Sequence, residues 1–154
     1  MKHKIEGQFV QVARDLLESK AWKAMGLNDR RALDFLMLEY LRQGGKRNGR
    51  LVAPRRQLEQ HGINRNAVTD TINNLQRLGL IDLQVGVGRR PHLYGLTWLH
   101  HADGSPPTHR WKRCNTIAEA IIAGRRAFKT HNRRRQTLVF PKTLNASSAA
   151  GVSH

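Results

Sequence analysis

Asn66, Thr69, Asp70 and Asn73 follow one another at a spacing that puts them on one side of a helix. A side-chain amide sets a donor beside an acceptor, and a threonine sets a methyl beside a hydroxyl. Asn66 and Asn73 can therefore each pair bidentately with the edge of adenine, and the Thr69 methyl can touch thymine. Arg65 precedes them and can read guanine or hold a phosphate. Asp70 would repel phosphate, so its expected task is to orient Arg65 or to accept from the cytosine amino group. Asn64, ahead of both, is a helix cap that would stand at the same contact surface. Arg55 and Arg56 open the preceding helix and suit phosphate oxygens, aided by free backbone N–H groups there. Arg89 and Arg90 lie in the basic turn Gly86-Val87-Gly88-Arg89-Arg90-Pro91 and suit a minor groove or the flanking backbone. Arg125, Arg126, Lys129, Arg133, Arg134 and Arg135 would lengthen the cationic footprint.

Positioning these groups falls to a short series of elements. Val12, Ala13, Leu16, Leu17, Ala21, Trp22 and Met25 mark a helical face over Phe9–Met25, with a break near Ser19–Lys20. A second helix is expected from Asn28 to Gly44-Gly45, burying Leu33, Phe35, Leu36, Met37, Leu38, Tyr40 and Leu41. Leu51-Val52-Ala53 reads as a short strand. Pro54–His61 reads as a third helix anchored by Leu58, closed by Gly62. Ile63 follows as a plug, and Asn64 caps a fourth helix whose inner face is Val68, Ile72 and Leu75. Gly79-Leu80 ends it in a Schellman-like manner. Beyond Leu80 the period drops to two: Ile81, Leu83 and Val85 alternate in one strand, Leu93 to Leu99 in another. They form a hairpin with a basic tip.

Residues 100–114 read as a linker ending its loose part at Pro106-Pro107. Thr116-Ile117-Ala118-Glu119 fits a capping box that opens a basic helix over 115–130. The stretch 131–154 is basic, then small and polar, the composition of a disordered tail.

Charge and composition narrow the function. The 154 residues carry 27 Lys+Arg against 11 Asp+Glu, a formal net charge of +16. The first 98 residues hold 17 basic and 9 acidic side chains, so the patterned region is itself cationic. Such a balance favours nucleic acid as partner. No apolar run approaches the length of a membrane span. Met1–Glu6 has no secretory character, which predicts a cytoplasmic, nucleoid-associated protein. One cysteine, Cys114, excludes an internal disulfide. His100, His101, His109 and Cys114 match no zinc spacing. Gly86-Val87-Gly88 opens no helix and so makes no phosphate loop. No nucleophile–base pair is legible; neither catalysis, metal nor cofactor is expected.

Helix, strand, short helix, glycine turn, helix and hairpin is the order of a winged helix-turn-helix. Residues 9–99 resemble the winged helix-turn-helix proteins of bacterial mobile elements and prophages, near the folds of bacterial regulators and plasmid replication initiators. The resemblance is carried by Asn48-Gly49-Arg50-Leu51, His61-Gly62-Ile63-Asn64-Arg65, Leu78-Gly79-Leu80-Ile81 and Tyr94-Gly95-Leu96-Thr97-Trp98-Leu99. It implies DNA binding, often with transcriptional regulation.

The expected fold is thus mostly α with a small antiparallel β-hairpin, a winged helix-turn-helix with extra N- and C-terminal helices. The expected function is sequence-specific binding of double-stranded DNA by a homodimer that regulates transcription by occupying an operator. Two other functions fit the same residues: a replication, partition or recombination-directionality factor, and a basic module for RNA or an acidic protein. Each residue also has an ordinary alternative. Asn66, Thr69 and Asn73 could be the wet face of a helix, and the arginine pairs plain surface charge.

Overall fold

The computed structural model describes residues 4–116 and 118–122. They fall in two units, Met1–Glu119 and Ala120–His154, and in the second only the helical residues 120–122 are described. The expected contacts at Arg125, Arg126, Arg133, Arg134 and Arg135, and most of the expected 115–130 helix, lie outside the described residues. The first unit is mostly helical, with one two-stranded antiparallel sheet.

The N-terminal helical face expected over Phe9–Met25 starts later, at Arg14, and is broken where the sequence suggested, into α1 (Arg14–Glu18) and α2 (Lys20–Ala24). Ser19 separates them in extended conformation, and its hydroxyl accepts from the Trp22 N–H as the cap of α2. α3 (Leu27–Arg42) starts earlier than Asn28 because Asp29, not Asn28, supplies the terminal hydrogen bond, accepting from the Gly26 N–H at 2.8 Å. Ala32, Leu33, Phe35 and Leu36 are its buried stripe; Met37, Tyr40 and Leu41 are half-buried and Leu38 is exposed.

α4 (Arg55–Gln60) and α5 (Val68–Arg77) follow, with a 3-10 turn at Arg65–Ala67 leading into α5. Gly62 turns the chain between them at φ +96°, where a side chain would be strained. Leu58, Ile63, Val68, Ile72 and Leu75 are all buried around that turn. α5 packs on α3 and α4 and ends as a Schellman motif, the Leu80 N–H donating to the Leu75 carbonyl at 3.1 Å. β1 (Ile81–Gln84) then pairs with β2 (Leu93–Leu96) in the register Ile81↔Leu96. Leu51 makes only an isolated bridge to Tyr94, so the expected strand Leu51–Ala53 shrinks to one residue.

Three further findings depart from the sequence expectation. Val85 lies past the end of β1 and is 64% exposed, because the chain has already turned into the loop. Residues 100–114, expected as a linker, fold back onto the strands. The Ala102 N–H donates to the Asn48 carbonyl, the His109 N–H to that of Thr97, and Trp111 and Cys114 are buried. Arg110 reaches Asp82 at 2.6 Å and donates to the Ile81 carbonyl. Glu119 pairs with Lys20 at 2.8 Å rather than completing the capping box.

Asn48 holds the centre of this arrangement. It is 1% exposed; its amide N–H groups reach the carbonyls of Leu96, Leu99 and His100, and its oxygen accepts from the Leu96 N–H. Asn48→Ala leaves the buried Leu96 N–H and carbonyl without their partner and should destabilise the protein by about 2–3 kcal/mol, read from denaturant midpoints.

Candidate nucleic-acid interface

The surface around α5 divides sharply. Its inner side is Val68, Thr71, Ile72 and Leu75, all buried; Asn64, Arg65, Asn66, Thr69 and Asp70 are exposed, and Asn73 is half-buried. Asn64 is held by its own cap, its side-chain oxygen accepting from the Asn66 N–H at 2.9 Å. That bond fixes the backbone at the start of the 3-10 turn and leaves the Asn66 side chain exposed.

Arg55 is exposed but engaged. Its guanidinium donates to the Thr69 hydroxyl at 3.0 Å and to the Arg65 carbonyl at 3.3 Å. One α4 side chain thereby braces the first turns of the next helix. Arg56 is exposed. The carboxylate near Arg65 is Glu59, at 3.8 Å. The carboxylate expected beside Arg65 was that of Asp70; in the structure it is that of Glu59. Among the described residues Asp70 enters no ion pair.

α5 and the hairpin share a cleft of about 260 Å³, lined by Arg55, Thr69, Ile72 and Asn73 on one wall and Leu83, His92 and Tyr94 on the other. Its floor is apolar, and its rim carries amide, hydroxyl, imidazole and guanidinium groups. Burial pushes the Tyr94 phenol above its usual range. Asp82, Gln84 and Gly95 line a second concavity, of about 360 Å³, with His101 and Asp103. Period-two alternation places those strand residues on the opposite face of the sheet from Leu83 and Tyr94. Its carboxylates are already committed. Asp82 faces Arg110 and His101, and Asp103 accepts from the Ser105 hydroxyl and amide, which hold its carboxyl below the usual range.

The hairpin loop is built tightly. The Gly86 N–H donates to His92 Nδ1 at 3.0 Å, and the Arg90 N–H to the Val87 carbonyl at 3.3 Å. Arg89 and Arg90 are exposed at the tip. Sequence reading passed over His92, whose signal was its place just after Pro91, and over Glu59, whose approach to Arg65 depends on the turn. It also passed over the Arg55–Thr69 bond, which joins residues 14 positions apart.

Among the described residues no group of three His, Cys, Asp or Glu side chains could hold a metal ion, and no helix is long and apolar enough to cross a membrane. No protein-family model matches the chain, and no curated protein or solved structure is significantly similar to it.

Proposed function

We propose that the chain is a winged helix-turn-helix protein that binds double-stranded DNA in a sequence-specific manner and regulates transcription by occupying its site. In this reading α4, the Gly62 turn and α5 are the helix-turn-helix, α5 enters the major groove, and the Gly86–Pro91 loop is the wing. The single observation that carries it is the cleft between α5 and the hairpin: Thr69 and Asn73 face Leu83, His92 and Tyr94 across it, and the loop that joins the two strands exposes Arg89 and Arg90. A duplex seated there would meet Asn66, Thr69 and Asn73 at base edges while Arg55, Arg56 and Arg65 meet phosphates. Arg89 and Arg90 would meet the adjacent minor groove. The +16 charge supports the same partner. A homodimer on a two-fold site is part of the proposal, because one helix reads too few base pairs for strong selectivity.

The test separates reading from holding. Selection from a random duplex pool at about 150 mM salt should yield one recurrent motif. On that motif Asn66→Ala should lose about 1–3 kcal/mol of preference over scrambled duplex. Arg89→Ala should weaken all duplexes alike and reduce the salt slope by about 1. Competition by RNA as effective as the selected duplex, or equal losses on every sequence for both variants, would count against the proposal.

A further inference from the structure

The loop tip carries two features that a phosphate contact does not need. Val87 is 82% exposed and Val85 is 64% exposed, although both are aliphatic and the strands bury Ile81 and Leu96 and half-bury Leu83 and Leu93. The backbone beneath them is also pinched. A Cβ at Gly86 would lie 2.1 Å from the Arg90 carbonyl oxygen and 2.6 Å from that of Pro91, so the two legs of the loop touch there. Gly88, at φ +66°, takes the first central position of the turn closed by the Arg90 N–H and the Val87 carbonyl. Pro91 and the Gly86–His92 bond fix the return leg. An apolar side chain is thereby presented on a narrow support, beside Arg89 and Arg90.

We infer that this tip is a minor-groove wedge and that the protein bends the duplex it binds. The inference rests on the duplex-binding reading above and adds a deformation to it. Apolar side chains that enter the minor groove part a base step and kink the duplex towards the major groove, while neighbouring arginines hold the flanking phosphates. Val87 supplies the wedge, with Val85 behind it, and Arg89 and Arg90 supply the anchors. A flexible loop would fold its valine back onto protein; the pinch at Gly86 prevents that. The bend should favour sites with a TA or CA step under the tip, since those steps unstack most easily. Two valines beside two arginines could also meet an anionic lipid surface, but the exposed amide of Asn66 and hydroxyl of Thr69 in the same unit suit base edges, which only a duplex offers.

The experiment uses the full chain and the duplex motif selected from the random pool, labelled at both ends for energy transfer, with circularly permuted fragments as a second readout. The wild-type protein should bend the duplex by some tens of degrees, within the ~20–90° range of such wedges. Val87→Ser should lose most of the bend and bind about three- to tenfold more weakly, with its α5-dependent base preference intact. Its circular dichroism and melting midpoint should match the wild type, because the side chain is exposed. A bound but straight duplex, or a Val87→Ser complex bent like the wild type, overturns the wedge and leaves duplex binding standing. Failure to bind any duplex overturns both. Binding to phosphatidylserine vesicles that Val87→Ser abolishes, alongside a straight duplex complex, assigns the tip to lipid and overturns the wedge.

Discussion

Raising salt from about 50 to 200 mM should weaken duplex binding about 10⁵-fold if two copies of the chain engage one site, and about 500-fold if one does. The count comes from the surface. Arg55, Arg56, Arg65, Arg89 and Arg90 are the exposed arginines of α4, the turn into α5 and the loop. Five neutralised phosphates give a slope of log affinity against log salt near about −4.5, and ten give about −9. Anisotropy titrations at four or five salt concentrations read the slope directly. A slope near zero would remove phosphate contact from the proposal altogether, whatever the charge of the chain. Arg55→Ala should cost more than its share of the slope, because its guanidinium also braces Thr69 and the Arg65 carbonyl. Its loss loosens the entry to α5 as well as one phosphate contact. Arg56→Ala, on the same helix, should lower the slope by about 0.9 per copy and do nothing else.

Local rules made most of the frame legible. Gly44-Gly45, Gly62 and Gly79 end three helices at the positions their conformational freedom suggests, each with positive φ. Leu58, Ile63, Val68, Ile72 and Leu75 could be placed inside because helical period and turn residues agree there. What escaped was decided by partners distant in the chain. Residues 100–114 have no apolar period, and their order comes from single polar bonds to Asn48, Asp82 and Thr97. The break at Ser19, by contrast, was legible, because a serine interrupts the apolar face there and its hydroxyl caps the second half. The exposed amides of the candidate site could be placed by helix geometry alone. The brace from Arg55 and the cleft wall formed by His92 and Tyr94 could not, since they need the hairpin to come alongside α5.

Gly79→Ala should destabilise the protein by about 3–5 kcal/mol, more than any other single methyl group added to the described chain outside the loop tip. Two independent penalties add. Gly79 sits at φ +72°, where a Cβ costs about 1–2 kcal/mol. That Cβ would also stand 2.6 Å from the Arg110 carbonyl carbon and 2.7 Å from the Trp111 nitrogen, both backbone atoms that cannot rotate away. Relief requires the 3-10 turn at Arg110–Arg113 to lift, which exposes Trp111 and forfeits about 1.5–3 kcal/mol of burial. Cys114 makes the lift observable. In the native chain Cys114 is 8% exposed, its thiol donates to the Arg77 carbonyl at 3.1 Å, and burial pushes its ionisation above the usual range. Alkylation at pH 8 should therefore be slow in the wild type and fast in Gly79→Ala, under conditions where both remain folded by circular dichroism. A variant that loses stability with Cys114 still protected would place the cost in the strained backbone alone and not in the packing of residues 110–114. The distinction bears on function, because Gly79 joins the end of α5 to β1. A lifted 110–114 segment would release Arg110 from Asp82, and with it one tie on the strand that leads to the basic loop.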